Sequence, residues 1–167
     1  VTGENLANEY WQKHGVDTRG LRYPGLISWK SPAGGGTTDY AVEIFHAALE
    51  KGHYDCFVGP ETRLPMMYID DAIRATLELM NTPVDNIGDS RAGYNISGLS
   101  FTAQQLVDTI SEKVDGFTCT FTPDKRQVYA DSWPNSIDDS QAKDDWGWEA
   151  QYNLETIVDS MLEGLSN

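Results

Sequence analysis

Apolar side chains recur at helical spacing in several stretches of the chain. In each stretch they fall three and four residues apart, which places them on one face of a helix. The predicted buried faces are Leu6 with Tyr10 and Ala7 with Trp11; Ala41, Ile44, Phe45, Ala48 and Leu49; Ile73, Leu77 and Met80; Ala103, Leu106, Val107, Ile110 and Val114; and Leu154, Ile157, Val158, Met161, Leu162 and Leu165. The pattern predicts a helix at each of these places, the first already under way at Val1.

Capping and helix-breaking residues set the predicted ends of these helices. Gly15 ends the first, Thr37-Thr38-Asp39 begins the second, Lys51-Gly52 ends it, Asp70 or Asp71 caps the third, and Ser100 or Thr102 caps the fourth. These boundaries leave short connections between the helices, and strands and loops have to fit into them.

Short runs of aromatic and branched apolar residues occupy those connections. They predict strands over Asp17–Ile27, ending at Pro24-Gly25, and over Tyr54–Val58, Met66–Ile69, Tyr94–Ser97 and Phe117–Phe121. The stretch Ser31–Gly36 is rich in Pro, Gly and Ser and predicts a mobile loop. Because strands and helices alternate along the chain, the predicted fold class is α/β.

Length and charge narrow the range of possible functions. The chain has 167 residues, which suits one domain, and 12 basic against 26 acidic residues give a net charge of −14. So negative a chain lacks the basic surface that a nucleic acid or an anionic membrane requires, and we expect neither as a partner. Cys56 and Cys119 each lie alone in a strand-like run, and we expect buried free thiols in a reducing compartment.

Several well-known catalytic signatures do not occur in the sequence. It has no glycine fingerprint or Walker-type phosphate loop between a strand and a helix, and no Gly-x-Ser-x-Gly elbow. None of its tyrosines has a lysine four residues later, and its three histidines lack zinc-ligand spacing, so we expect no metal. The aspartate doublets at 70–71, 138–139 and 144–145 are interpreted as helix caps or solvated faces rather than general acid–base pairs.

Two glycine-containing segments are candidate ligand contacts. Arg22–Leu26 places Pro24-Gly25 at the end of a strand, where α/β proteins bind ligands; an ordinary strand exit is the alternative. Gly34–Tyr40 joins three glycines, which let backbone fold closely over a small molecule, to the start of a helix, whose free amides attract an anion. A flexible loop followed by a helix cap is the alternative there.

Two further segments carry arginine or tryptophan. In Arg63–Ala72, a lone arginine before an apolar strand either holds a ligand anion or pairs with an aspartate. Arg126–Trp148 belongs to an irregular acidic stretch over Pro123–Tyr152, in which Trp133-Pro134 and Trp146-Gly147-Trp148 either wall a pocket or belong to the core. The spacing of residues leaves both interpretations open in each segment.

Taken together, these segments resemble the short-chain type of L-threonine 3-dehydrogenase. The matching strings are Leu21-Arg22-Tyr23-Pro24-Gly25-Leu26-Ile27-Ser28; Pro32 with Gly34-Gly35-Gly36-Thr37-Thr38-Asp39-Tyr40-Ala41-Val42 and Ile44-Phe45; Thr62-Arg63-Leu64-Pro65-Met66-Met67-Tyr68-Ile69; Tyr94-Asn95-Ile96-Ser97; Ser132-Trp133-Pro134; Asp138-Asp139-Ser140; and Asp145-Trp146-Gly147-Trp148. They run in order over essentially the whole chain. The family belongs to the extended short-chain dehydrogenases, whose sugar epimerases are expected to carry Asn where this chain has Pro24-Gly25.

The resemblance implies how the chain relates to a complete enzyme. In this family the catalytic Tyr-x-x-x-Lys is followed by a segment similar to Val1-Thr2-Gly3-Glu4. We therefore expect no catalytic residue in this chain, with the catalytic Tyr and Lys, the nucleotide-binding glycine loop and most of the Rossmann sheet upstream of Val1. Residues 1–167 would be a single C-terminal fragment, a remnant of the NAD-binding domain interleaved with the substrate-binding lobe, and inactive alone. A processed N-terminus is the alternative.

The resemblance also implies a reaction and a set of site residues. The complete enzyme would oxidise L-threonine with NAD to 2-amino-3-oxobutyrate, with the upstream Tyr as general base. The implied cofactor contacts are Tyr23, Pro24, Gly25 and above all Leu26, which border the nicotinamide. The implied substrate contacts are Gly36, Thr37 and Thr38, Arg63 and Arg126, and Trp133 on the methyl side of threonine. The glycine loop is expected to close on the substrate and exclude water.

Two other interpretations stay open at this point. The chain could belong to another extended short-chain dehydrogenase, such as a nucleotide-sugar epimerase or dehydratase. It could also be a non-catalytic module that binds a partner chain, which an exposed apolar face would favour. The partners that the resemblance implies are L-threonine, the N-terminal half of the same enzyme and a second copy in a homodimer, in the cytoplasm or, in a eukaryote, the mitochondrion.

Overall fold

The computed structural model describes residues 2–166 as an α/β fold of short strands and connecting helices. The helices are α1 (Thr2–His14), α2 (Tyr40–Lys51), α3 (Ile69–Asn81), α4 (Ala103–Ser111), α5 (Arg126–Ala130), α6 (Ser140–Trp146) and α7 (Leu154–Ser166). The strands are β1 (Leu21–Arg22), β2 (Gly25–Ile27), β3 (His53–Cys56), β4 (Arg63–Tyr68), β5 (Tyr94–Asn95), β6 (Leu99–Thr102) and β7 (Thr118–Phe121). Short 3-10 turns cover Thr37–Asp39 and Val84–Asn86. Val1, which the pattern included in the first helix, lies outside the described residues.

Within residues 2–166 the strands pair in small separate sheets. β1 runs parallel to β5, β3 runs parallel to β7, and β4 lies between a parallel β2 and an antiparallel β6. Parallel neighbours require a crossover connection, and helices supply it here. The predicted α/β class is therefore confirmed.

Most buried apolar side chains gather around α2. This cluster joins the inner face of α2, represented by Ile44 and Phe45, to Leu64 of β4, Leu106 of α4 and Ile157 of α7. A second cluster lies beneath α3 and contains Met67, Ala72, Leu79, Tyr94 and Trp148. The first cluster fixes the helix that follows the glycine-rich loop, so the start of α2 has a rigid support.

The predicted ends of several helices are confirmed by their geometry. Gly15 and Gly52 follow α1 and α2 with φ of 65° and 66°, a left-handed conformation that glycine adopts without a Cβ clash. Thr102 caps α4, because its hydroxyl accepts the Gln105 amide at 3.1 Å while the Gln105 side chain accepts the Thr102 amide at 2.9 Å. The predicted faces of α2, α4 and α7 are turned inward, apart from Leu49 of α2, which is exposed. Val114, which lies beyond the end of α4, and Leu154, Leu162 and Leu165 of α7 are half-buried.

The predicted buried face of α3 is wrong. Ile73, Leu77 and Met80 are 52%, 52% and 66% exposed, and the buried side chains are those of Asp71, Ala72, Ala75 and Leu79. Alanines let the helix approach the strands closely, so the larger apolar side chains face outward. The predicted cap is also wrong, because Tyr68 occupies the cap position and Asp70 and Asp71 lie in the first turn. The predicted inner face of α1 is likewise unburied, since that helix contains no buried residue.

The single strand predicted over Asp17–Ile27 is also wrong. The segment forms two short strands, β1 and β2, in different sheets, and Tyr23-Pro24 separates them. Proline has no N–H group to donate to a ladder, so the strand breaks at this point rather than ending there. The stretch Pro123–Tyr152, predicted to be irregular, contains the short helices α5 and α6.

Candidate functional site

The segment predicted to border a cofactor is the turn between β1 and β2. Its backbone is held inside the protein, because Pro24 and Gly25 are buried. The flanking side chains face outward, Tyr23 being 41% and Leu26 39% exposed. The Tyr23 hydroxyl forms a hydrogen bond with the Thr76 hydroxyl of α3. The turn and the start of β2 therefore present the apolar Leu26 side chain on a fixed backbone, which suits contact with a planar ring.

The glycine-rich segment ends in a tight turn that leads into α2. The Asp39 carboxylate accepts hydrogen bonds from the amides of Gly35 and Gly36, the latter at 2.7 Å. Gly36 remains exposed, and Thr37 and Thr38 are half-buried in the 3-10 turn. Within residues 2–166 neither threonine hydroxyl has a hydrogen-bond partner, so both are available to a ligand. Asp39 was predicted only as part of the helix start, and its hydrogen bonds to the glycine amides are a finding of the structure.

The structure brings the two segments into contact. A Cβ atom added to Gly25 would lie 2.8 Å from Cγ2 and 3.1 Å from Cβ of Thr38. The Thr38 side chain therefore packs directly on the backbone of the predicted cofactor turn. This contact joins residues that the sequence placed in separate candidate sites.

Helix α5 lies against the turn Thr37–Asp39 and carries Arg126. Gln127 holds this helix in place, because its side-chain oxygen accepts the Gly59 amide at 2.7 Å. The Arg126 guanidinium lies 2.7 Å from the Asp124 carboxylate and 3.2 Å from the centre of the Phe57 ring. The hydrogen bond from Arg126 holds the pKa of Asp124 below its usual value.

Trp133 follows α5 by a short turn, in which its amide donates to the Ala130 carbonyl at 3.1 Å. Its side chain is 40% exposed. The two other tryptophans of the same stretch behave differently, since Trp148 is buried against Trp146 and donates to the Ser97 carbonyl at 3.1 Å.

Arg63 has partners within its own part of the fold. Its guanidinium donates to the Ser100 carbonyl at 2.7 Å and to the Gln105 side chain at 3.2 Å. Both partners belong to β6 and α4. These contacts stabilise the β4–β6 pairing and occupy part of the donor capacity that would hold a ligand anion.

The aspartate doublets have structural partners. Asp71 is 1% exposed, and its carboxylate lies 2.7 Å from the Arg74 guanidinium and accepts the amides of Gln151 and Tyr152 at 3.0 and 3.1 Å. Asp139 is paired with Lys143 at 2.8 Å. These carboxylates fasten the tryptophan-rich segment rather than facing a ligand.

The two cysteines are free, as predicted; Cys56 is buried, whereas Cys119, also predicted to be buried, is only half-buried. Burial raises the pKa of Cys56 to about 12, so this thiol stays protonated at neutral pH.

Residues 2–166 contain no group of three His, Cys, Asp or Glu side chains placed to hold a metal ion. In the same range no helix has the length and apolar character needed to cross a lipid bilayer.

Known proteins match the chain over nearly all of its length. The mitochondrial L-threonine 3-dehydrogenase of Bos taurus is 48% identical over 163 residues, which cover 97% of this chain and 43% of the bovine protein. The solved apo structure of a GalE-like L-threonine dehydrogenase from Cupriavidus necator superposes with a TM-score of 0.94 at 54% identity, covering 98% of this chain and 59% of the other. The chain is a partial-length homologue of GalE-like L-threonine 3-dehydrogenases.

This homology specifies the fold further. The α/β fold corresponds to the C-terminal half of extended short-chain L-threonine dehydrogenases, and the chain spans about half the length of the relatives it matches. A nucleoside-diphosphate-sugar epimerase from Agrobacterium tumefaciens superposes with a TM-score of 0.81 at 17% identity over 96% of this chain, a likeness of fold alone. No protein-family model matches the chain.

Proposed function

We propose that this chain is the C-terminal portion of an NAD-dependent L-threonine 3-dehydrogenase, which oxidises L-threonine to 2-amino-3-oxobutyrate. The observation that carries the proposal is the combination of 54% identity and a TM-score of 0.94 with the Cupriavidus necator enzyme over 98% of this chain. The likeness to a sugar epimerase, at 17% identity, supports the fold without its substrate. Threonine is therefore favoured over a nucleotide sugar.

The turn between β1 and β2 fits the nicotinamide end of NAD. Leu26 is exposed between two buried neighbours, Gly25 and Ile27, and offers an apolar surface to one face of the ring. Tyr23, held through its hydroxyl by Thr76, and Pro24 would complete the contact. These residues would hold NAD there, and the cofactor would supply the acceptor for the hydride that leaves the hydroxyl-bearing carbon of threonine.

The turn that begins α2 would bind the amino acid. The hydroxyls of Thr37 and Thr38 and the Gly36 backbone belong to one short segment, which Asp39 keeps folded. Threonine carries an ammonium and a carboxylate, and hydrogen bonds to charged groups are stronger than those between neutral groups. Arg126, whose helix lies against this turn, would contribute positive potential, and Trp133 would cover the methyl side of the substrate. Arg63 is held by Ser100 and Gln105, so we expect it to contribute little to threonine binding.

Proton abstraction requires a base that this chain does not carry. A tyrosine whose pKa is lowered by a lysine four residues later is the base we propose, and no tyrosine of the chain has that neighbour. The partner that would supply it is the other half of the same enzyme. The exposed apolar side chains of α1 and α3, among them Leu6, Tyr10, Ile73 and Leu77, offer this half a surface to cover.

The proposal is tested by assaying the complete protein and this chain side by side. The complete protein should form NADH in the presence of L-threonine, and the isolated chain should form none. A nucleotide sugar serves as the competing substrate. Turnover of the sugar without turnover of threonine would replace the proposal by the epimerase interpretation, and a complete protein inert toward both would favour a non-catalytic partner-binding module.

A further inference from the structure

Gly25 occupies a position where space, rather than backbone conformation, requires glycine. The residue lies in strand β2 and is not among the glycines with a left-handed φ. An added Cβ would meet Sδ of Met66 at 2.6 Å and Cγ2 of Thr38 at 2.8 Å. Both distances are shorter than a Cβ atom tolerates, so a larger residue must displace both of these side chains.

The two neighbours respond differently to such a displacement. Met66 meets Gly25 with the end of a long side chain, which can change its rotamer within the core. Thr38 is short and β-branched, so rotation of its Cγ2 away from the new atom is restricted, and its Cβ atom at 3.1 Å can give way only together with the backbone.

Moving the Thr38 backbone moves the whole substrate turn. The Asp39 amide donates to the Gly36 carbonyl at 3.3 Å, and the Asp39 carboxylate accepts the amides of Gly35 and Gly36. The Tyr40 amide donates to the Thr38 carbonyl, which joins the turn to the buried start of α2. Residues 35–40 therefore form one hydrogen-bonded unit that rests on Gly25 through Thr38.

From this geometry we propose that Gly25 is a positioning residue for the substrate turn. The absence of a side chain at Gly25 lets Thr38 pack on the cofactor turn, which sets the distance between the threonine-binding hydroxyls and the ring that accepts the hydride. The assignment of Thr38 to substrate rests on the proposed function. The contact between Gly25 and Thr38 holds for whatever ligand this turn binds.

The test uses the complete enzyme with Gly25→Ala, alone and combined with Thr38→Ser. The alanine should raise KM for L-threonine about 10- to 100-fold, since a displacement of about 1 Å is enough for losses of this size. Thr38→Ser keeps the hydroxyl and removes the methyl that meets the new Cβ, so the double variant should recover most of the affinity. Gly59→Ala is the matched control, because its Cβ would meet its nearest neighbours at 3.6 and 3.7 Å, an ordinary contact.

Amide hydrogen exchange gives a second readout that does not depend on the substrate. Peptides covering residues 35–40 should exchange faster in Gly25→Ala than in the unaltered enzyme and return to slow exchange in the double variant. If this pattern appears in an enzyme that does not oxidise threonine, the proposed function fails while the positioning role stands. Unaltered exchange in Gly25→Ala, or a rise in KM that Thr38→Ser does not relieve, would overturn the positioning role.

Discussion

The role of Thr38 can be divided into two parts by a pair of substitutions. Thr38→Val keeps the methyl group that packs on Gly25 and removes the hydroxyl, whereas Thr38→Ser keeps the hydroxyl and removes the methyl. Both side chains are close to threonine in size, and Thr38 is only half-buried, so neither change should disturb the fold. The pair therefore separates binding of substrate from packing of the turn.

The structure sets the expected magnitude of each effect. Within residues 2–166 the Thr38 hydroxyl has no partner, so its loss costs the turn no internal hydrogen bond. A hydrogen bond to a charged group of the substrate contributes about 1.5–3 kcal/mol, which corresponds to a loss of about 10- to 150-fold in kcat/KM for Thr38→Val. Removal of one methyl costs about 0.8 kcal/mol, and Thr38→Ser should change kcat/KM by about fourfold or less.

The assay is the initial rate of NADH formation by the complete enzyme as L-threonine is varied at saturating NAD. We expect KM for threonine to rise in Thr38→Val and to stay near the unaltered value in Thr38→Ser, with KM for NAD unchanged in both. If Thr38→Val behaves like the unaltered enzyme, the hydroxyl does not contact threonine, and the assignment of this turn to substrate binding is refuted.

Three further outcomes follow from contacts elsewhere in the fold. Asp71→Ala should lower the free energy of unfolding by about 3–5 kcal/mol, because it leaves the Arg74 guanidinium and the amides of Gln151 and Tyr152 without their buried partner. Asp70→Ala, at the exposed neighbour, should change the free energy of unfolding by about 0.5 kcal/mol or less, and thermal unfolding of the two variants measures the difference. Arg63→Ala should leave KM for threonine within about twofold, since Ser100 and Gln105 already engage the guanidinium, and a larger rise in steady-state KM would show that Arg63 reaches the substrate. Burial raises the pKa of Tyr94 to about 12, above its value of about 10 in an unfolded chain. The protonated Tyr94 side chain therefore contributes its full share of stability below pH ~10, and this share is lost as the pH rises toward 12. Denaturant midpoints that do not fall over this pH range would contradict the predicted loss of stability.

The buried face of a helix with packing on several sides could be predicted from the sequence, and the buried face of a helix packed on one side could not. The apolar stripe of α2, with Ile44 and Phe45, is buried because β3, α4 and α7 all contact it. On α3 the sequence offers two faces, one of large apolar residues and one of alanines, and periodicity favours the larger side chains. The structure buries Ala72 and Ala75, because small residues permit close approach to the strands.

The candidate site could be predicted in part. The sequence identified the segments that hold Gly25 and Thr38 as separate features, because each has a glycine pattern that stands out locally. Their contact is a long-range property of the fold, and local spacing carries no record of it. The partners of Arg63 and Arg126 were equally out of reach, since a lone arginine gives the same signal whether it binds a carbonyl, an aspartate or a ligand.

The most direct test of the account is a crystal structure of the complete enzyme with NAD and L-threonine bound, captured in an inactive variant of the upstream base. We expect the nicotinamide ring to contact Leu26 and the Thr38 hydroxyl to lie within about 3 Å of a polar atom of threonine, with the Thr38 methyl still on Gly25. Threonine bound away from the turn formed by residues 36–38, or a nicotinamide distant from Leu26, would contradict the account.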